Sequence, residues 1–150
     1  MNQVLFLCTG NYYRSRFAEH LFNALAMQEE LDWRAFSRGL AVERGIYNFG
    51  SISRAAVEGL AVRGIAVPAK VRGPQRVTET DFAAAGRIVA LDEAEHRPLV
   101  KERFPQWAGA VEYWTIHDLD VTGPWEATAE MERRVQELLA DLRDGRQTDL

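Results

Sequence analysis

The chain has 150 residues, 47% of them hydrophobic and no Pro/Gly/Ser-rich linker, which suits one domain over residues 1–150 with a full core. A net charge of −4 without a basic, aromatic-interleaved tract argues against nucleic acid as a partner, and one cysteine rules out an intramolecular disulfide or a Cys-rich zinc site. No apolar run approaches the roughly 18 residues that span a bilayer, and no basic leader precedes an apolar stretch, so the expected setting is a reducing cytoplasm without membrane contact.

Residues 3–8, with the continuous apolar run Val4-Leu5-Phe6-Leu7, predict a buried strand. Cys8 to Ser15, reading Cys-Thr-Gly-Asn-Tyr-Tyr-Arg-Ser, interrupts the pattern. From Arg14 to about Glu30, Phe17, Leu21 and Leu25 recur at helical spacing. Trp33 to Ser37 predicts a second strand, Ser51 to Arg63 a helix carrying Ala56, Leu60 and Val62, and Thr78 to Ala85 a short helix. Arg87 to Leu91 reads as strand three, Glu93 to Phe104 as a helix closed by Pro105, and Val111 to Trp114 as strand four. The last helix, Glu126 to Arg143, puts Met131, Val135, Leu138 and Leu142 on one face, the pattern of a core-facing stripe. Strands and helices alternating over short connections imply a single three-layer α/β domain with a four-stranded, parallel, doubly wound sheet. In such sheets ligands bind beyond the carboxyl ends of the strands, where Cys8 falls.

The segment from Thr9 through Gly10, Asn11, Tyr12 and Tyr13 to Arg14 and Ser15 joins a strand to a helix. Backbone N–H groups of such a turn, with the open N–H groups of the helix's first turn, form a cradle for a tetrahedral oxyanion. A sulfur at the base of that cradle makes it a reaction site, because the thiolate is a strong nucleophile. A helix N-terminus supplies only about 0.3 to 2 kcal/mol toward stabilising an anion. The Arg14 cation and hydrogen bonds from Ser15 and the loop amides must contribute the rest, and the same donors hold phosphoryl oxygens in a transition state. A leaving-group proton donor is expected from His117-Asp118-Leu119-Asp120, after strand four, where Asp118 and Asp120 are both candidates.

The spacing Cys8-x5-Arg14-Ser15 after the first strand resembles the low-molecular-weight protein tyrosine phosphatase family. Gly10 and Asn11 also stand where that pattern places them, Ser37-Arg38-Gly39 resembles its Ser-x-Gly, and Val89-Ala90-Leu91-Asp92 and Trp114-Thr-Ile-His-Asp118 resemble its third-strand end and its acid loop. The resemblance thereby favours Asp118 over Asp120 as the proton donor. The resemblance implies a flavodoxin-like fold and a phosphomonoester hydrolase working through a phosphocysteine on Cys8, without metal or cofactor. Its expected partners are a phosphorylated protein or small phosphomonoester, with inorganic phosphate and other oxyanions competing, and a monomer is the expectation from size. The resemblance further implies that Asn11 shapes the loop by bonding Ser37, and that Asp92 packs behind the loop. As residues alone, Asn11 also suits a left-handed turn position and Asp92 a helix N-cap.

Several positions depart from the family pattern. Arg16 stands where proline is usual, Arg72 where a histidine is common, and Tyr12-Tyr13 where tyrosine phosphatases carry an aliphatic residue and a second cysteine. A phosphoarginine branch tends to have threonine at the place of Tyr12. Tyrosines here crowd the pocket mouth or stack on a substrate ring, while Tyr47 and Trp125 are the candidates for a second aromatic wall. Without a second cysteine, an oxidised Cys8 needs an external thiol for rescue. Two other readings follow from the same loop: arsenate reduction with an external small thiol, and a non-catalytic phosphate or phosphoprotein binder. His20, His96 and His117 are scattered without ligand spacing, so no metal is expected.

Overall fold

The computed structural model describes residues 2–118 and 123–145. In chain order the elements are β1 (Asn2–Cys8), α1 (Arg14–Gln28), β2 (Trp33–Gly39), α2 (Arg54–Val62), α3 (Glu79–Ala84), β3 (Arg87–Ala90), α4 (Glu93–Arg103), β4 (Val111–Tyr113) and α5 (Pro124–Arg143). The strands form one four-stranded sheet in the order β2-β1-β3-β4, every pair parallel. The continuous apolar run of β1 has a direct cause: successive side chains point to opposite faces, and both faces are covered. Val4 and Phe6 enter a core with Phe17, Leu21 and Phe22 of α1, Ala56 and Leu60 of α2, and Met131, Val135 and Leu138 of α5. Leu5 and Leu7 enter a second core with Phe82 of α3 and Leu99 and Val100 of α4. This is the three-layer, doubly wound domain that the alternation predicts.

Each expected strand and helix is present, with boundaries shifted by a few residues. Val62 is 63% exposed, because it lies two residues beyond Leu60 and so turns off the face shared by Ala56 and Leu60. Pro105 does more than close α4, since it opens a 3₁₀ turn over Pro105–Ala110. Thr78 starts α3 with a capping box, its hydroxyl accepting from the Asp81 N–H while the Asp81 carboxylate accepts from the Thr78 N–H. No described helix is long and apolar enough to cross a membrane.

The register carries the carboxyl end of β1 to the site, with Cys8 opposite Gly39 and Leu7 opposite Ala90. Leu40 N–H donates to Cys8 O and Ala41 N–H to Thr9 O, each at 2.9 Å, so the chain leaving β2 wraps tightly beside the loop leaving β1. Gly39 is required there. A Cβ at that position would lie 2.9 Å from Thr9 O and 3.2 Å from Asn11 Cβ.

Candidate active site

The loop between β1 and α1 turns its carbonyls outward and its amides inward. Cys8 O and Thr9 O accept from Leu40 and Ala41, Tyr12 O from Ser53 and Tyr13 O from Phe17, while among the described residues no protein acceptor takes the N–H groups of Thr9 to Tyr13. Tyr13, at the N-cap position of α1, supplies no side-chain cap, so the first-turn N–H groups of the helix stay open toward the same space. Inward amides at a helix N-terminus form an anion site.

Cys8 is buried at the floor of this loop, its Sγ 3.0 Å from Ser15 Oγ. Asn11 Nδ2 donates to Ser15 Oγ at 2.8 Å and occupies one of its two acceptor positions, and against a thiolate, which has no proton, the Ser15 hydroxyl is the donor to sulfur. Asn11 is fully buried at φ 50°, with Nδ2 also donating to Ser37 Oγ at 2.9 Å, while its Oδ1 accepts from Arg72 Nη1 at 2.9 Å and from the Gln75 N–H at 3.0 Å. Both readings of Asn11 hold together: it takes a left-handed backbone and anchors a network. Ser37 lies in that network and donates its own hydrogen bond to Glu19 Oε1.

Arg72 and Arg16 form the backing of the loop. Arg72 reaches Asn11, Ser37 and Glu19, and Arg16, fully buried, donates to the carbonyls of Ser51 (2.9 Å), Arg72 (2.7 Å) and, at longer range, Asn11 (3.4 Å). Burial, then the neighbouring Arg72, pushes Arg16 down to about 10, with Glu19 and Cys8 opposing.

Arg14 leans over the loop. Its Nη1 donates to Ile116 O at 3.0 Å and its Nη2 to Glu95 Oε2 at 2.7 Å, and the same Nη2 lies 3.7 Å from Asp118 Oδ2. Burial works against the Arg14 charge, but Cys8, Glu95 and Asp118 outweigh it and raise its value. Both outer edges of the guanidinium are braced, and its other N–H groups remain for a ligand.

The cleft above the loop measures about 270 Å³, and Cys8, Arg14, Tyr12, Tyr13, Glu95 and Asp118 are among its lining residues. It therefore brings Asp118 to the side of Cys8 and Arg14. Asp120 lies outside the described residues. Tyr12 donates its hydroxyl to Phe49 O, tying the loop to the segment after β2. Tyr13 sits with the core, its hydroxyl buried without a hydrogen-bond partner among the described residues and pushed up to about 12 by burial and then by Asp118. Tyr47 is 94% and Trp125 68% exposed, and neither lines the cleft, so they form no second aromatic wall around it.

Asp92 is buried at the N-cap position of α4 but makes no side-chain cap there, which corrects the capping alternative. Its Oδ1 lies 3.6 Å from His117 Nδ1, and its backbone N–H donates to His96 Nδ1 at 3.0 Å. That donor fixes the His96 proton on Nε2, which faces Thr9 Oγ1 and Glu95 Oε2, each at 3.2 Å. The Thr9 hydroxyl also donates to Glu95 Oε2. Hydrogen bonds from His96, Arg14 and Thr9 hold the Glu95 carboxyl well below the usual range, against the upward push of burial. Glu95 and His96 are site residues that the sequence reasoning missed. Glu95 follows Glu93 in the first turn of a helix, where acidic residues are ordinary complements to the helix dipole. Among the described residues no cluster of three or more His, Cys, Asp or Glu is placed to hold a metal ion.

A parallel doubly wound sheet with an anion loop and a thiol beyond its first strand defines a class of phosphate-handling enzymes. A family model described as low molecular weight phosphotyrosine protein phosphatase matches residues 3–147, and the chain belongs to that family of phosphatases. The protein-arginine-phosphatase of Bacillus subtilis (strain 168) is 28% identical over 143 residues, covering 93% of this chain and 90% of that protein. The fold is shared with a low molecular weight protein tyrosine phosphatase from T. tengcongensis (24% identity, TM-score 0.78, 94% of this chain and 99% of that one). It is shared equally with YfkJ from Bacillus subtilis (24% identity, TM-score 0.80, 98% of each chain).

Proposed function

We propose that the protein is a protein phosphatase that forms a phosphocysteine on Cys8, with Asp118 as general acid. The observation that carries this reading is the thiol on the floor of an inward-facing amide loop, with Arg14 and Asp118 3.7 Å apart at its mouth. Cys8 Sγ attacks phosphorus and an S–P bond forms as the P–O bond to the leaving group breaks. Asp118 gives its proton to the departing oxygen, while Arg14 and the loop amides hold the other phosphoryl oxygens. Ser15 donates to sulfur and so stabilises the thiolate before attack and on its release. Asp118 then takes a proton from the water that hydrolyses the phosphocysteine, returning orthophosphate and free thiolate.

Substrates are phosphorylated proteins or small phosphomonoesters, and inorganic phosphate and other oxyanions compete for the same loop. The protein-arginine-phosphatase relative adds phosphoarginine to the candidates. A cytoplasmic monomer is the matching setting for a single unprotected thiol. The test is release of phenol from para-nitrophenyl phosphate at mildly acidic pH without added metal, by the wild type and by Cys8→Ser. Turnover abolished by Cys8→Ser supports the reading. Turnover that survives in Cys8→Ser, or no turnover by the wild type while phosphate still protects Cys8 from alkylation, overturns it.

A further inference from the structure

Glu95 puts a fixed negative charge beside the residue that must grip a phosphate dianion. For an enzyme acting on aryl phosphates this carboxylate has use only as a brace for Arg14 through Oε2, and its second oxygen suits another kind of substrate. Three donors, from Arg14, Thr9 and His96, converge on Oε2. Among the described residues no hydrogen bond reaches Oε1, although Glu95 lines the cleft and its side chain is 35% exposed. Three donors on one oxygen favour the ionised form, and the other oxygen belongs to a side chain that lines the cleft.

The remaining charges of the cleft sharpen the point. Arg14 and Arg44 are the cations that line the cleft and Glu95 and Asp118 the carboxylates, so Glu95 is the carboxylate that stays anionic when Asp118 carries the proton for the leaving group. Arg14 Nη2 lies 2.7 Å from Glu95 Oε2 and 3.7 Å from Asp118 Oδ2, so both carboxylates stand on the same side of the guanidinium. A phenol brings neither positive charge nor an N–H donor to that side. A phosphorylated guanidinium brings both, in a planar fork that matches a carboxylate.

Resting on the phosphatase reading, we propose that Glu95 is a specificity residue selecting the guanidinium of a phosphoarginine side chain over the phenol of phosphotyrosine. One N–H of the guanidinium donates to Glu95 Oε1. Cys8 Sγ attacks phosphorus, the P–N bond breaks as the S–P bond forms, and the departing nitrogen takes the Asp118 proton, leaving arginine.

The test compares kcat/KM for one peptide carrying phosphoarginine and for the same peptide carrying phosphotyrosine, using the wild type, Glu95→Gln and Glu95→Asp. The wild type is expected to favour phosphoarginine, and Glu95→Gln to lower the phosphoarginine-to-phosphotyrosine ratio by about 10- to 100-fold, the scale of one charge-assisted hydrogen bond. Glu95→Asp, which keeps the charge, recovers part of the ratio and guards against a variant that simply misfolds. A ratio unchanged in Glu95→Gln, with both substrates slowed alike, overturns the proposal and reduces Glu95 to a brace for Arg14. Absence of Cys8-dependent turnover on both peptides by the wild type overturns the phosphatase reading itself, which separates the two failures.

Discussion

Replacing Asn11 by Ala and by Gly separates the two jobs of this residue. Each variant removes four hydrogen bonds from a fully buried amide: those donated to Ser15 and Ser37 and those accepted from Arg72 and Gln75. At about 0.5–1.5 kcal/mol each the gross loss is about 2–6 kcal/mol. Arg72 and Ser37 keep other partners, which moves the expectation to about 2–4 kcal/mol. Alanine also bears the cost of the left-handed backbone at φ 50°, about 1 kcal/mol that glycine avoids. Urea unfolding should therefore rank wild type above Asn11→Gly and Asn11→Ala below both, the variants separated by about 1 kcal/mol. Both variants should also slow aryl phosphate turnover, because the Ser15 hydroxyl is no longer steered toward sulfur. Equal stability of the two variants, or a loss below about 1 kcal/mol in either, would refute the argument.

Asp118→Asn is expected to lower kcat on para-nitrophenyl phosphate by about 10²- to 10⁴-fold, with Asp120→Asn far milder; the reverse order moves the general acid to Asp120. Tyr13→Phe removes a buried hydroxyl that has no partner among the described residues and should hold or raise stability by up to about 1 kcal/mol, read as the urea midpoint, so a clear loss would reveal a partner for that hydroxyl. Burial holds His96 and His20 below their ordinary value of 6.5, so below that pH the unfolded chain binds protons that the folded chain refuses. Stability from this source is complete above 6.5 and falls as pH drops toward the folded values, and His96→Gln should flatten part of that slope in urea midpoints taken across the window.

The sequence patterns that proved readable were those with a repeating physical cause. A strand covered on both faces writes a continuous apolar run, as at Val4-Leu5-Phe6-Leu7, and a helix on a sheet writes a stripe such as Met131, Val135 and Leu138. The loop was equally legible, because Cys8, Arg14 and Ser15 are neighbours in the chain. Glu95 was not, since it meets Arg14 across 81 positions and nothing in its local spacing marks it. Tyr13 also resisted reading, because only the packed structure shows it turned into the core. The neighbours of Arg72 were illegible for the same reason, as it bonds residues from three separate segments.

The Arg16 guanidinium binds carbonyls belonging to three segments, at residues 11, 51 and 72. The cradle is short in sequence, yet its shape is completed only when chain ends separated by some sixty residues have already met. Such closures come late, because the entropy of bringing distant segments together is spent before their contacts stabilise anything. A peptide copied from residues 8–15 would lack this clamp, so the anion capture proposed for the loop is expected only of the finished domain. Orthophosphate binding would then serve as a sensor of complete folding.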